Sequence, residues 1–222
     1  MIEAWGYLAG MYRPAAFDVA EERELFDLIE AASFGHLVTT GPDGFDATGL
    51  PFILDPHAGR RGHLRGHVAR ANPQWRATNG ARAFVLFPLV DAYVSPSWYP
   101  SKAEHGKVVP TWNYEVVHVH GTVTVHDDVD WVRALVTDLT DRHEALRASD
   151  RPWAVTDAPP QFIDNQLRAI VGIEVEIERI EGKRKLSQNR SDRDRSGVAD
   201  GLAGSPHLGD RAVAEAMRGM RA

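Results

Sequence analysis

Four groups of residues in this sequence have the types and spacing to do chemistry. The first is Gly66 to Trp75, GHVARANPQW. Asn72 before Pro73 is a good helix cap followed by a favoured first helical residue. The free amide groups of such a helix start attract anions, phosphate above all. His67 and Arg70 add positive charge at the same end, although a plain capped turn with Trp75 in the core explains the same residues. The second group is the stretch from Ser95 to Glu115, which carries Trp98, Tyr99, Lys102, Glu104, His105, Lys107, Trp112, Asn113 and Tyr114 among three prolines. It has no helical or strand period. Irregular segments of this length inside a compact domain are functional or disordered, and this one is too aromatic for disorder. Its rings suit stacking on a flat cofactor or burial between subunits. Lys102, His105 and Lys107 suit an anionic ligand. The third group is KRKLSQNR, in which Lys183, Arg184, Lys185 and Arg190 form a basic cluster in an acidic chain. Such a cluster can neutralise a phosphate or be a solvated strand end. The fourth is His118 and His120, with His126 beyond them. Histidines two apart on a strand share a face and can hold a metal. No carboxylate has matching spacing, so polar strand-face histidines are the better reading and no metal is expected.

Composition excludes several function classes. The chain has 222 residues, 43% of them hydrophobic, and a net charge of −6. That charge gives no global basic footprint for nucleic acid and argues against direct binding; a direct DNA-binding regulator stays as an alternative, through a local patch at Lys183–Arg195. The absence of cysteine removes disulfides, thiolate metal sites and cysteine nucleophiles. No apolar run approaches the ~18 residues that cross a bilayer, and the acidic start MIEAWGYLAG lacks the basic opening of a secretion signal. A cytoplasmic location follows as the expectation. Met11 is an alternative start, which would make residues 1–10 an upstream extension. No P-loop, dinucleotide-binding, zinc-protease or serine-hydrolase motif occurs. No residue has to be a general acid or base, so catalysis is left open.

The elements that position these groups are mostly strands. Asp18 and Glu21 read as a helix start, with Leu25, Leu28, Ile29 and Ala32 as its apolar stripe. Strand-like runs follow at His36–Thr40, Phe45–Asp55, His63–Val68, Ala83–Leu89, Ala92–Val94, Val116–Val125 and Val171–Ile177. Asp127 and Asp128 open a long helix, and Pro159-Pro160 a shorter one. The tail from Ser191 to Ala222 has room for one short helix around Val213–Met220. Strands in hairpin spacing with a few helices argue for a mainly β chain, an antiparallel barrel or sheet with peripheral helices. The expected division is a domain over residues 11–190 and a C-terminal tail over residues 191–222.

Taken together and in order, MYRPAAF, FGHLVTT, LPFILD, GHVARANPQW, AYVSPSWYPSK, EHGKVVPTWNY, PWAVTDAP, AIVGIEVEIERIEGK and KLSQNR resemble the PaiB family. Its members are described as FMN-binding negative transcriptional regulators. The resemblance implies an antiparallel split β-barrel of the pyridoxamine-phosphate oxidase type, a homodimer, and a cofactor site at the subunit interface. It implies FMN phosphate at His67, Arg70, Ala71 and Asn72, and the flavin ring along Thr48, Leu50, Pro51 and Phe52. It implies closure by the partner's Trp112 and Asn113, with Lys183, Lys185 and Gln188 at the C-terminal strand end. Two departures stand out: many members have His where this chain has Gly49, and Ala71-Asn72-Pro73 lacks the basic cluster of the oxidase branch. Some family members resemble this chain and use haem to form an N–N bond. Haem is therefore the alternative cofactor, with His67 as its axial ligand. Regulation of transcription is a further expectation from the family. Its physical basis is thin in a chain with no helix-turn-helix pattern.

Overall fold

Alternation of β-branched residues with polar ones builds the sheet. In β7 (Thr111–His126), Val117, Val119 and Val123 are fully buried on one face, and His118, His120 and Thr122 take the other. In β8 (Ile170–Lys185), Val171, Ile173, Val175 and Ile177 point inward while Glu174, Glu176 and Glu178 point out. The remaining strands are β1 (Asp18–Val19), β2 (Phe34–Gly41), β3 (Gly44–Pro51), β4 (Ile53–Asp55), β5 (His63–Ala69) and β6 (Arg82–Val94). They form one antiparallel sheet in the order β3-β2-β6-β7-β8-β5-β4, with β1 paired to β8. The structure is a computed structural model and describes residues 10–41 and 44–220. The expected extension over residues 1–10 lies, apart from Gly10, outside the described residues, as do Pro42 and Asp43 of the β2–β3 turn.

The two ends of the strand order, β3 and β4, are separated in the chain only by Phe52. The sheet therefore has to curl until its edges meet. At the seam, a Cβ placed on Gly66 of β5 would lie 2.8 Å from the carbonyl oxygen of Pro51 and 2.9 Å from Leu50. Only glycine permits that approach. The fold is the antiparallel split barrel with peripheral helices that the sequence implied.

The chain divides into two compact units. The first, Phe26–Phe87 with His118–Ile180, contains the barrel. Its interior is filled by Leu37, Leu50, Phe52, Leu64, Val85, Phe87, Val119 and Ile173, none more than 2% exposed. Each such side chain contributes roughly 1.5–3 kcal/mol by leaving water. Helix α3 (Val129–Ala145) packs Leu135 and Leu139 against Ile53. Its cap is Asp128, whose carboxylate accepts from the Trp131 amide at 2.8 Å. Helix α4 (Pro160–Leu167) packs Ile163 and Leu167 against Val132.

The second unit takes the described residues up to Leu25, then Pro88–Val117 and the chain from Glu181 on. Its core joins Ala92, Val94, Tyr99 and Leu186 to two helices, α5 (Asp192–Ala203) and α6 (Leu208–Gly219). The tail thus carries two helices where its sequence pattern suggested one. Asp18 starts no helix; it pairs with Lys183 across β1 and β8, and α1 runs from Glu22 to Ala32. The irregular segment is also shorter than its sequence implied. It holds a 3-10 turn at Pro96–Trp98 and the short α2 (Ser101–His105), and Thr111–Glu115 already belong to β7.

Candidate functional site

The turn after β5 was the expected phosphate site, and its donors are engaged within the chain. The Arg70 guanidinium pairs with Asp127 and donates to the carbonyls of Arg168 at 2.7 Å and Ile170 at 3.1 Å. Their hydrogen bond raises the Arg70 pKa and lowers that of Asp127. Asn72 accepts from the Gln74 amide at 2.9 Å and donates to the Thr48 hydroxyl at 2.8 Å. Thr48 donates to Gln74 Oε1, whose amide nitrogen in turn donates to Thr39 and to the Leu37 carbonyl. The helix that follows is a 3-10 segment of five residues, Pro73–Ala77. Ala71 is exposed and offers no polar side chain. Trp75 is half-buried and donates its indole N–H to the Arg70 carbonyl at 3.0 Å, which fixes the turn rather than filling the core.

Strand β3 presents its predicted residues in two directions. Thr48 is opposite Leu37, and Thr48, Leu50 and Phe52 all face the barrel interior. The side chains of Leu50 and Phe52 therefore belong to the core, and Pro51 faces out. A Cβ on Gly49 would lie 2.9 Å from the Phe34 ring, so Phe34 already occupies the place of a larger residue there. His67 also faces out. It lines a cavity of about 360 Å3 with Pro51, Leu139, Thr140, His143 and Trp153. Burial pushes the His67 pKa down, which keeps its imidazole neutral.

The predicted residues of β7 and β8 lie in the other unit and differ from one another in kind. Asn113 is fully buried and donates to the Ser187 hydroxyl at 3.0 Å and to Met217 Sδ at 3.4 Å. Gln188 accepts from the Leu186 amide at 2.7 Å and donates to the Arg184 carbonyl. Both side chains are engaged within the chain. Trp112 is 53% exposed and meets Tyr93 edge-on at 6.2 Å.

Lys183 and Lys185 stand out within this group. Lys183 is only 8% exposed, and its ammonium lies 5.3 Å from the Tyr12 ring and 5.4 Å from the Tyr114 ring. Among the described residues, no carboxylate and no hydrogen-bond acceptor pairs with it. Lys185 donates to the Thr111 hydroxyl at 2.7 Å and to the Trp112 carbonyl. Its pKa is lowered by burial first, then by the like charges of Lys183 and Arg190. Arg184 between them is neutralised by Glu24 and by the buried Glu115. Tyr12 is the ring the sequence reading missed. Its only signal was its place in the MYRPAAF block, far from Lys183 in the chain.

The remaining candidates have local roles. Lys102 donates to the Ser97 hydroxyl at 3.2 Å, and His105 Nδ1 accepts from the Lys107 amide at 3.0 Å. His118 and His120 pack on the Phe84 ring, with centroids 4.8 and 5.1 Å away. Among the described residues, no three His, Cys, Asp or Glu side chains are arranged to hold a metal ion, and no helix is long and apolar enough to cross a membrane.

Residues 11–179 match the family described as "Putative FMN-binding domain". The chain belongs to this family. It is 32% identical over 211 residues to "Protease synthase and sporulation protein PAI 2" of Bacillus subtilis, covering 93% of this chain and 96% of that relative. That relative is PaiB, so the resemblance carried by the sequence blocks holds along nearly the whole chain. Solved structures share the fold at low identity. The FAD and haem binding protein of Mycobacterium smegmatis is 21% identical with a TM-score of 0.52, covering 85% of this chain and 80% of its own. A flavocytochrome of Azotobacter vinelandii is 11% identical with a TM-score of 0.54, covering 81% of this chain and 74% of its own. Against this family, the donor set at Lys183 and Lys185 fits a flat anionic cofactor. Its two ammonium groups meet no carboxylate, and aromatic rings flank them.

Proposed function

We propose that the protein binds FMN as a homodimer. The family match over residues 11–179 carries this reading. Bound flavin would supply the redox chemistry. The chain's own residues bind and orient it and limit its exposure to water. Contacts are drawn from two sets, each testable by itself. One is the outward edge of the barrel seam, with the main chain at Thr48–Phe52, Pro51, His67 and the turn to Asn72. The other is Trp112 with Lys183 and Lys185. Reconstitution with FMN tests the reading. Quenching of flavin fluorescence at one FMN per chain is expected, and no quenching at any protein concentration contradicts it.

Support for the dimer comes from one face of the barrel. Phe34 is 50% exposed and Phe45 84% exposed. Register places them with His36, Val38, Ala47, Phe84 and Leu86 on the same outward side of β3, β2 and β6. None of these carries an acidic side chain, a lysine or an arginine. Arg82, on the same side of β6 and paired with Glu178, is the charged residue at its rim; a face apolar inside such a rim suits a two-fold interface.

A second reading replaces flavin with haem. Its specific support is the neutral imidazole of His67 in a cavity walled by Pro51, Leu139 and Trp153. A Soret band after addition of haem, lost in His67→Ala, would favour it; flavin bands in the protein as purified would exclude it as the resident cofactor. A regulatory role remains a proposal from the family, acting without direct contact to DNA. A gel shift at low salt would overturn that last point.

A further inference from the structure

Helices α5 and α6 lie beyond the residues that match the family model, which end at 179. They pack together through Val198, Ala199 and Leu202 of α5 and Val213, Ala214 and Met217 of α6. Between them opens a cavity of about 270 Å3. Ala199 and Met217 form its apolar lining, and Asp192, Arg195, Ser196 and Arg218 its polar lining.

The other arginines of these two helices are matched. Arg193 pairs with Glu104, Arg211 donates to the Ser205 carbonyl at 2.9 Å, and Arg218 donates to Asp200 at 2.9 Å. Arg195 is the exception. Its side chain is only 24% exposed, and its Nε–H is buried with no hydrogen-bond partner among the described residues. Its one ionic contact is Asp192 at 3.7 Å, too long for a hydrogen bond. Asp192 is 99% exposed and stays hydrated, so it offsets little of the guanidinium charge. The Ser196 hydroxyl, one residue on, also has no partner among the described residues. A buried donor left unmet costs free energy, which a fitting acceptor recovers.

The chemistry of that acceptor follows from the lining. A guanidinium presents two parallel N–H groups that match the two oxygens of a carboxylate. One guanidinium is left uncompensated here, which calls for a single negative charge. A phosphate dianion would bring a second charge up against Asp192. Ala199 and Met217 suit a short hydrocarbon group behind the carboxylate, and the volume restricts the ligand to a small molecule.

We propose that the cavity between α5 and α6 binds a small aliphatic monocarboxylate, held by the Arg195 guanidinium and the Ser196 hydroxyl. Arg218 adds positive potential from the facing helix. A bound carboxylate ties α5 to α6. It also steadies the segment under α5, because Asp194 accepts from Ser101 and Gly197 and Gly201 lie directly against Trp98. None of the lining residues belongs to the cofactor contacts proposed above, so the assignment does not rest on the flavin reading.

The test adds pentanoate, pentanamide or inorganic phosphate to the full chain at constant ionic strength. Amide hydrogen exchange is read over residues 192–203 and 208–219. Pentanoate at twice its dissociation constant is expected to slow exchange there about threefold, with the barrel strands unchanged. Pentanamide and phosphate are expected to leave it unchanged. Arg195→Met is expected to abolish the effect, and Arg195→Lys, which keeps the charge but not the fork, to lose most of it. Asp192→Asn is expected to tighten pentanoate binding about threefold. Without ligand, the Tm of Arg195→Met is expected to match or exceed that of wild type, because the unmet donor is gone. Should that variant fail to fold, Ala199→Leu fills the cavity floor and is expected to abolish the effect in its place. The proposal is overturned by no slowing with pentanoate, by equal slowing with phosphate or pentanamide, or by slowing that survives Arg195→Met or Ala199→Leu.

Discussion

Two basic residues one position apart, Lys183 buried and Arg184 half-buried, illustrate how context sets the role of a charge. Arg184 is satisfied: it reaches Glu24 and Glu115, and Glu115 is only 6% exposed. Arg184→Met should leave that carboxylate buried and unpaired, at a cost of about 3–5 kcal/mol. Urea unfolding measures it, and a loss under about 1 kcal/mol would mean the pair is solvated. His67 makes a pH-dependent contribution. Its folded-state pKa is depressed by burial. Its stabilising effect is therefore present above the unfolded value of about 6.5 and is lost as pH falls towards the folded value. Replacement by a neutral side chain removes that dependence. Wild type should lose stability on acidification below about pH 6.5 faster than His67→Gln, and parallel stability curves would contradict this. The sequence exposed Lys183 as one member of a basic run. It gave no hint that Tyr12, 171 positions upstream by number, would lie over it.

At the scale of elements, legibility followed the polarity of the buried face. Strands β7 and β8 were readable over their valine and isoleucine stretches because the apolar face is the inner one. The first turn of β7 was not. There the buried residues are Asn113 and Glu115, while Trp112 points out. The usual alternation is inverted, so Thr111–Glu115 read as an irregular loop. The partners that make this possible, Ser187 and Arg184, lie some seventy residues downstream. Helix α5 was missed for a different reason. Its charged first turn and two glycines weaken the pattern, yet Val198 and Leu202 stand four apart and are fully buried. Asp194 ties this helix to α2. Burial alone would raise its pKa, but bonds from Ser101 and Ser191 and the charge of Arg190 hold it below the ordinary carboxylate range. Asp194→Ala should loosen α5, read as faster amide exchange through residues 192–203 with the barrel strands unchanged. Uniform acceleration across the chain would show that α5 has no separate stability.

For the whole molecule, the barrel was legible in outline because strand spacing and turn chemistry are local signals. Its closure through the Phe52 link and the close approach at Gly66 depends on contacts that no window of sequence contains. The mostly apolar face around Phe45 and Phe84 gives the assembly prediction. Light scattering should return twice the chain mass for wild type, and a monomer for a Val38→Asp, Phe84→Asp double variant. A wild-type monomer at micromolar concentration would remove the dimer from the account. Whether this chain holds a flavin is read from the absorption spectrum of the purified protein before and after FMN is added and the excess removed. Flavin bands retained at one per chain are expected. A spectrum that stays colourless, or one that shows a Soret band instead, would contradict this.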